Sequence, residues 1–283
     1  VVEKFDFNRL KGETDTLIGQ RKFIQATNKL EEVLEKFPGK PEIYFLLGEV
    51  YQHIDIEASI RSYQKGLSFD ANHVFLNISL GFLYFNRKEY GNAEKYLRTM
   101  WVEDPTNIRL LTALGKIYKA WKQYEKATKY FLIGELLEPN NSFALYGLAD
   151  TYRGMGDYKN ALKYWLRFHE LEPRNKVALT RIGDCYARLG DFERGLDFYR
   201  KALEIGYDFY ASLGSAKIHA AYNNAAQAME VFEQMAASER GNSRYYYEYI
   251  RVCQQCGEQQ RAAQLLEHAQ SLFPGNTFLQ SLA

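Results

Sequence analysis

The sequence predicts an all-α protein, an α-solenoid of about eight antiparallel helix-turn-helix units stacked along the chain. Three observations predict it. The stretch from Ile108 to Asn141 recurs after a shift of 34 residues, so that Leu111, Leu114, Gly115, Tyr118, Ala127, Phe131 and Pro139 return as Leu145, Leu148, Ala149, Tyr152, Ala161, Trp165 and Pro173. Small residues recur in register: Gly48, Gly81, Gly115 and Gly183 in one column, Ala58, Ala93, Ala127, Ala161, Ala228 and Ala262 in another. Between them fall turn signals such as Gly156-Asp157 and Gly190-Asp191, glycine ending one helix and aspartate capping the next. A glycine inside a helix is disfavoured by roughly 1 kcal/mol, so a recurring one marks close approach of a paired helix.

Along the chain the units fall at about 7–40, 41–73, 74–107, 108–141, 142–175, 176–208, 209–242 and 243–276, one solenoid over 1–283. The first opens weakly, with Leu10, Leu17 and Ile18 on a degenerate helix, then runs through Phe23, Ala26, Leu30, Val33 and Phe37 to Pro38. The second carries Tyr44, Leu47, Gly48, Tyr51, Tyr63 and Leu67, with a short turn expected around His53 to Ile56. The third has Leu80, Gly81, Tyr84, Leu97 and Pro105. The sixth, from Lys176, closes on Gly206-Tyr207-Asp208 rather than proline. The seventh is irregular: Tyr210, Leu213 and Gly214 match, Lys217 stands in the tyrosine column, and Ala228 and Phe232 resume about two residues late. The eighth returns to form with Tyr246, Tyr249, Gly257, Leu266, Ala269 and Pro274. Residues 277–283 read as the start of a truncated or capping helix, which suggests a longer parent protein; the opening Val1 suggests a trimmed or processed product.

Composition narrows the function. Apolar and charged fractions of 46% and 25% are those of a folded domain. A net charge of +1 from 36 basic and 35 acidic residues gives no global field for nucleic acid or membrane, so charged recognition must be local. No apolar run reaches the length of a bilayer span. Three cysteines, an odd number, argue against a disulfide framework and fit a reduced cytoplasm; a periplasmic or anchored form without its leader stays open.

With these columns the chain resembles a tetratricopeptide-repeat protein over nearly its whole length, best from Val74 to Asn175 and from Ser243 to Asn276. The resemblance implies helix pairs stacked into a right-handed superhelix, whose first helices line a concave groove for a peptide or partner helix. Carried over position by position, that groove includes Phe75, Ile78, Phe82 and Phe85, then Arg109, Thr112, Lys116 and Lys119. It continues with Tyr146, Asp150 and Arg153, then Thr180, Arg181, Asp184 and Arg188. Such a groove is aromatic early and net basic in the middle, pairing apolar anchors with cations that fit carboxylates. Two specialised patterns are missing: the clamp columns of chaperone-tail binders hold Ile78, Phe82, Thr112, Tyr146 and Asp150, and the asparagine ladder of sugar-transfer members reads Ser79, Ala113, Gly147 and Arg181.

Other chemistry reads as structural. Cys253-Gln-Gln-Cys256 has CxxC spacing, but a second pair is missing and Cys253 occupies the tyrosine core column. Cys185 adjoins core Tyr186. His53, His73, His169, His219 and His268 lie in different units and columns, so no metal site, cofactor or catalytic residue is expected. The 22 tyrosines and 18 phenylalanines sit mostly in core columns, which ranks base stacking below protein binding. The expectation is a non-catalytic protein-protein interaction scaffold of unknown partner and oligomeric state. The alternative is a regulatory or assembly region of a larger enzyme or secretion complex, suggested by the end at Ala283; an RNA-binding helical repeat ranks third.

Overall fold

The computed structural model describes residues 5–282, and the chain divides into two units, Val1–Pro139 and Asn140–Ala283. Among the described residues the only regular secondary structure is helix, in consecutive packed pairs. In the first unit the pairs are α1 (Phe7–Gly19) with α2 (Phe23–Lys36), α3 (Pro41–Tyr51) with α4 (Ile56–Leu67), α5 (Val74–Asn86) with α6 (Tyr90–Glu103), and α7 (Ile108–Ala120) with α8 (Tyr124–Leu137). In the second unit they are α9 (Ser142–Gly154) with α10 (Tyr158–Leu171), α11 (Lys176–Arg188) with α12 (Phe192–Ile205), α13 (Phe209–Ala221) with α14 (Ala225–Glu239), and α15 (Ser243–Gln255) with α16 (Gln259–Leu272). The short α17 (Thr277–Gln280) follows, with Leu279 buried and Phe278 69% exposed.

The apolar pattern decides which member of each pair lies inside. On α7, residues Leu110 through Gly115, together with Ile117 and Tyr118, are buried; on α8 only Ala127, Phe131 and Gly134 are. First helices are thus covered by neighbours on most sides, whereas second helices bury one stripe and turn the rest to solvent. The small columns set the spacing within a pair. A Cβ at Gly115 would sit 2.7 Å from Cε1 of the fully buried Phe131, so any side chain there would push α8 away. Asparagines after the loop start the first helices: Asn107, Asn141 and Asn175 each accept a bond from the backbone N–H three residues on, at 3.2, 3.0 and 3.1 Å. Where proline is missing, Asp208 caps α13 by accepting from the Ala211 N–H at 2.8 Å.

Three expectations need correction. In the second unit of the repeat, the small position is Ser59, fully buried, not the half-buried Ala58; its hydroxyl donates to the Gly48 carbonyl at 2.8 Å and joins the two helices. The shortening there lies in α3, which has 11 residues, and the turn before α4 is not itself contracted. The seventh repeat is not two residues late. Its first helix starts one residue early, so the buried Ala216 takes the glycine column and half-buried His219 the tyrosine column, while Lys217 is exposed. Ala228 and Phe232 then follow in register, both fully buried.

Candidate functional site

The second unit contains a cavity of about 900 Å³ built by its first helices. Arg153 from α9, Arg181, Asp184 and Arg188 from α11, Tyr210, Gly214 and Lys217 from α13, and Arg244, Glu248 and Arg251 from α15 supply its polar wall. The repeat explains the convergence: residues one repeat apart stand side by side on successive first helices, and i, i+3, i+4 and i+7 positions of one helix share a face. Its deeper wall is Tyr199, which reaches in because Gly214 has no side chain; a Cβ there would lie 2.3 Å from the Tyr199 Cζ.

Six cations line this cavity against two carboxylates, and both carboxylates are engaged. Asp184 accepts from Arg181 at 3.0 Å and from the Tyr199 hydroxyl at 2.8 Å. Burial, with the Asp184 carboxylate as acceptor, pushes the Tyr199 phenol far up, so it stays a donor. Glu248, largely buried, lies 2.8 Å from Lys217 Nζ and 4.0 Å from Arg244 Nε. Arg153 donates to Asp150 at 2.7 and 3.0 Å; burial is the largest influence and opposes its charge, but the bond to Asp150 and the negative charges of Asp150 and Asp184 together raise its pKa. The Tyr210 ring holds two guanidiniums, Arg181 at 5.7 Å and Arg244 at 5.3 Å. Arg188 and Arg251 face only aromatic rings, Tyr158 and Tyr247, each at 5.8 Å, and have no carboxylate partner among the described residues. The site therefore presents two guanidiniums still able to take an anion, held among cations whose orientation is already fixed.

Of the residues expected in a groove, the structure brings Arg153, Arg181, Asp184 and Arg188 together here, with Asp150 at the edge through Arg153. Tyr146 turns inward, edge-on to Trp165 at 4.9 Å and Phe168 at 5.6 Å, so it is half-buried packing and not an open anchor. Thr180 is buried, and its hydroxyl donates to the Lys176 carbonyl at 3.1 Å. In the first unit Phe75 and Phe82 are 56% and 42% exposed, whereas Ile78 and Phe85 are half-buried against the core. Arg109 and Lys116 are exposed on α7, Lys119 is half-buried and Thr112 buried. Tyr210, Lys217, Arg244, Glu248 and Arg251 escaped sequence reasoning. The groove columns were followed only through the sixth unit, and the register of the seventh was misread: in true register Lys217 and Arg251 continue the column of Lys116, Asp150 and Asp184, and Tyr210 and Arg244 that of Phe75 and Arg109.

The cysteines are poorly suited to redox or metal chemistry. Burial pushes the Cys185 and Cys253 thiols up to about 12, and that of Cys256 upward as well, so thiolate is scarce near neutral pH. Cys253 Sγ packs 3.3 Å from Met229 Sδ.

Fold and site together define a helical-repeat protein with a polar cavity on the first helices of its second unit. Sequence models of the tetratricopeptide repeat match residues 108–141 and 146–211. Among solved structures, the chain is similar to a tetratricopeptide repeat protein from Parabacteroides merdae, at 17% identity and a TM-score of 0.62, over 98% of this chain and 96% of that one. It is also similar to PilW, described as a widely conserved type IV pilus biogenesis factor, at 18% identity and a TM-score of 0.62, over 74% of this chain and 98% of that one. A third, YrrB, described as a TPR protein with an unusual peptide-binding site, matches at 20% identity and a TM-score of 0.58, over 68% of this chain and 100% of that one. No curated protein sequence matches the chain. Residues 108–141 and 146–211 thus carry tetratricopeptide repeats, and the chain shares the fold of tetratricopeptide-repeat structures. Such a fold is that of a protein-interaction scaffold, and among the described residues no helix is long and apolar enough to cross a membrane.

Proposed function

We propose that the protein is a non-catalytic scaffold whose α9, α11, α13 and α15 hold an acidic peptide, tail or helix of a partner protein. The observation that carries this reading is the excess of cations in one cavity, with Arg188 and Arg251 free of carboxylates among the described residues. Charge-assisted bonds to such guanidiniums contribute roughly 1.5–3 kcal/mol each, enough for two contacts to decide the choice of partner. A protein ligand is favoured over nucleic acid on two counts. Asp184 and Glu248 inside the cavity repel a phosphate chain, and the Tyr210 ring is already engaged by Arg181 and Arg244.

The test is fluorescence anisotropy of the full chain with a labelled, end-blocked peptide alternating Glu and Leu. Arg188→Glu with Arg251→Glu should weaken binding about 100-fold, in line with two charge-assisted contacts, and leave the helical circular dichroism unchanged. Reversal at Arg153 or Arg181 is a poorer probe, because it strands Asp150 or Asp184 beside a new carboxylate. Binding that ignores the Arg188 and Arg251 reversals would sink the reading. So would a single-stranded oligonucleotide that binds more tightly than the peptide at equal salt.

A further inference from the structure

The hairpins of the first unit all turn at the same end, because their first helices run side by side in one direction and each second helix runs back. The four turns make one edge, away from the faces of the first helices. Contacts join them in order. The Phe23 ring stacks on His53 at 5.0 Å, Arg87 pairs with Glu57, and Tyr90 meets Trp121 at 6.2 Å. The edge is therefore continuous from the first hairpin to the fourth.

Two features of this edge work against the fold. At three of the four turns the left-handed position holds a long cation: Arg21 (φ 55°), Lys88 (φ 63°) and Lys122 (φ 60°). Any residue with a Cβ is disfavoured there, and the helix dipole that favours a terminal cation is the weaker effect. The second unit eases the conflict with Gly156, Gly190 and Gly257, and with Asn223. Arg21, Lys22, Lys88 and Lys122 are exposed and have no carboxylate partner among the described residues. The acids nearby are engaged: Asp55 accepts from the Ala58 N–H at 3.0 Å and lies 3.6 Å from Arg61, and Arg87 pairs with both Glu57 and Glu89. Glu125, in the first turn of α8, is followed by Lys126. The second feature is apolar. Ile24 is 72% exposed and Ile54 50%, and Ile56 and Trp121 are open to water as well.

We propose that this edge docks on an anionic phospholipid surface, the hairpins standing upright with their turns in the headgroup layer. Each lysine or arginine close to such a surface strengthens binding about fivefold, with no need of a pocket. Ile24, Ile54 and Ile56 enter the boundary of the acyl chains, and Tyr90 and Trp121 sit at headgroup level, where such rings are favoured. The left-handed cations then have a use that the core does not supply. A nucleic acid fits less well. Isoleucines give nothing to a phosphate chain, and the rings of Phe23, Tyr90 and Trp121 are packed on neighbours rather than open to a base.

The test is co-sedimentation of the full chain with vesicles of equal parts phosphatidylcholine and phosphatidylglycerol, against vesicles of phosphatidylcholine alone. Binding should be tighter on the anionic vesicles by about tenfold or more. Lys88→Gly with Lys122→Gly should weaken it about 25-fold while raising the midpoint of thermal unfolding, a pair of effects that a structural role for the lysines does not give. Lys88→Arg with Lys122→Arg should preserve it. Lys95→Gln with Lys129→Gln, which takes the same charge from the exposed sides of α6 and α8, should change it by no more than about twofold. Ile24→Ser with Ile54→Ser, at exposed positions where folding is spared, should weaken it roughly tenfold. Equal binding to the two kinds of vesicle overturns the proposal. So does binding that ignores Lys88 and Lys122, ignores the isoleucines, or falls as far with Lys95 and Lys129. A single-stranded oligonucleotide that binds more tightly than the anionic vesicles, and is lost with the same two turn lysines, overturns it in favour of nucleic acid.

Discussion

The two units build the same helix hairpin with different turns. In the first two hairpins of the second, the residue that ends the first helix left-handed is Gly156 (φ 80°) or Gly190 (φ 84°), and the next residue, Asp157 or Asp191, caps the following helix. In the last two hairpins of the first, the same place is held by Lys88 (φ 63°) and Lys122 (φ 60°), and Glu89 and Gln123 make no side-chain cap for α6 or α8. A left-handed lysine is disfavoured by roughly 1–2 kcal/mol relative to an ordinary helical one. Yet the hairpins pack alike, with Phe131 and Trp165 both fully buried in equivalent columns. The contrast teaches that the recurring core sets the period, while turn chemistry only trims stability.

That ranking can be broken most directly at the core. Phe131→Ala and Trp165→Ala should each destabilise by about 3–5 kcal/mol in urea unfolding, in the first and second unit alike. A loss near 1 kcal/mol in either would mean that the turns carry more of the fold than the core. The turns come next. Lys122→Gly should stabilise by about 1 kcal/mol after allowing for the entropy of the unfolded glycine, and Gly190→Lys should destabilise by about as much. Installing a cap with Gln123→Asp should add about 0.5–2 kcal/mol. No gain from either first-unit change would show that its turns are already relieved in some other way.

The smallest effect is on acid stability. The Asn160 side chain and backbone N–H hold the Asp157 carboxyl below its ordinary value of 3.8. Its contribution is therefore present above that value and lost as pH falls through the lower folded pKa. Asp157→Asn should make the midpoint of thermal unfolding fall less between pH 6 and pH 3 than in the parent chain. An identical fall in both proteins would deny Asp157 that role.

The sequence made the hairpins legible because two independent signals agreed, the 34-residue spacing and the small columns that let helices close on each other. Register failed where one residue was lost without a punctuating proline, between Asp184 and Lys217, and that put Lys217 in the wrong column. Ser59 was missed for a related reason: alanine next to it looked the better small residue, and a buried hydroxyl bonded to Gly48 is invisible in a pattern of sizes. Tyr146 shows the remaining limit. Its column pointed to the groove, but the ring swung onto Trp165, a rotamer choice that spacing does not fix.

The measurement that bears most directly on the account is an amide chemical-shift titration of the full chain with the acidic peptide. The account predicts shifts concentrated on α11, α13 and α15 around Arg188, Gly214 and Arg251, with the second helices silent. Shifts confined to the second helices, or to α1 through α8, would contradict it.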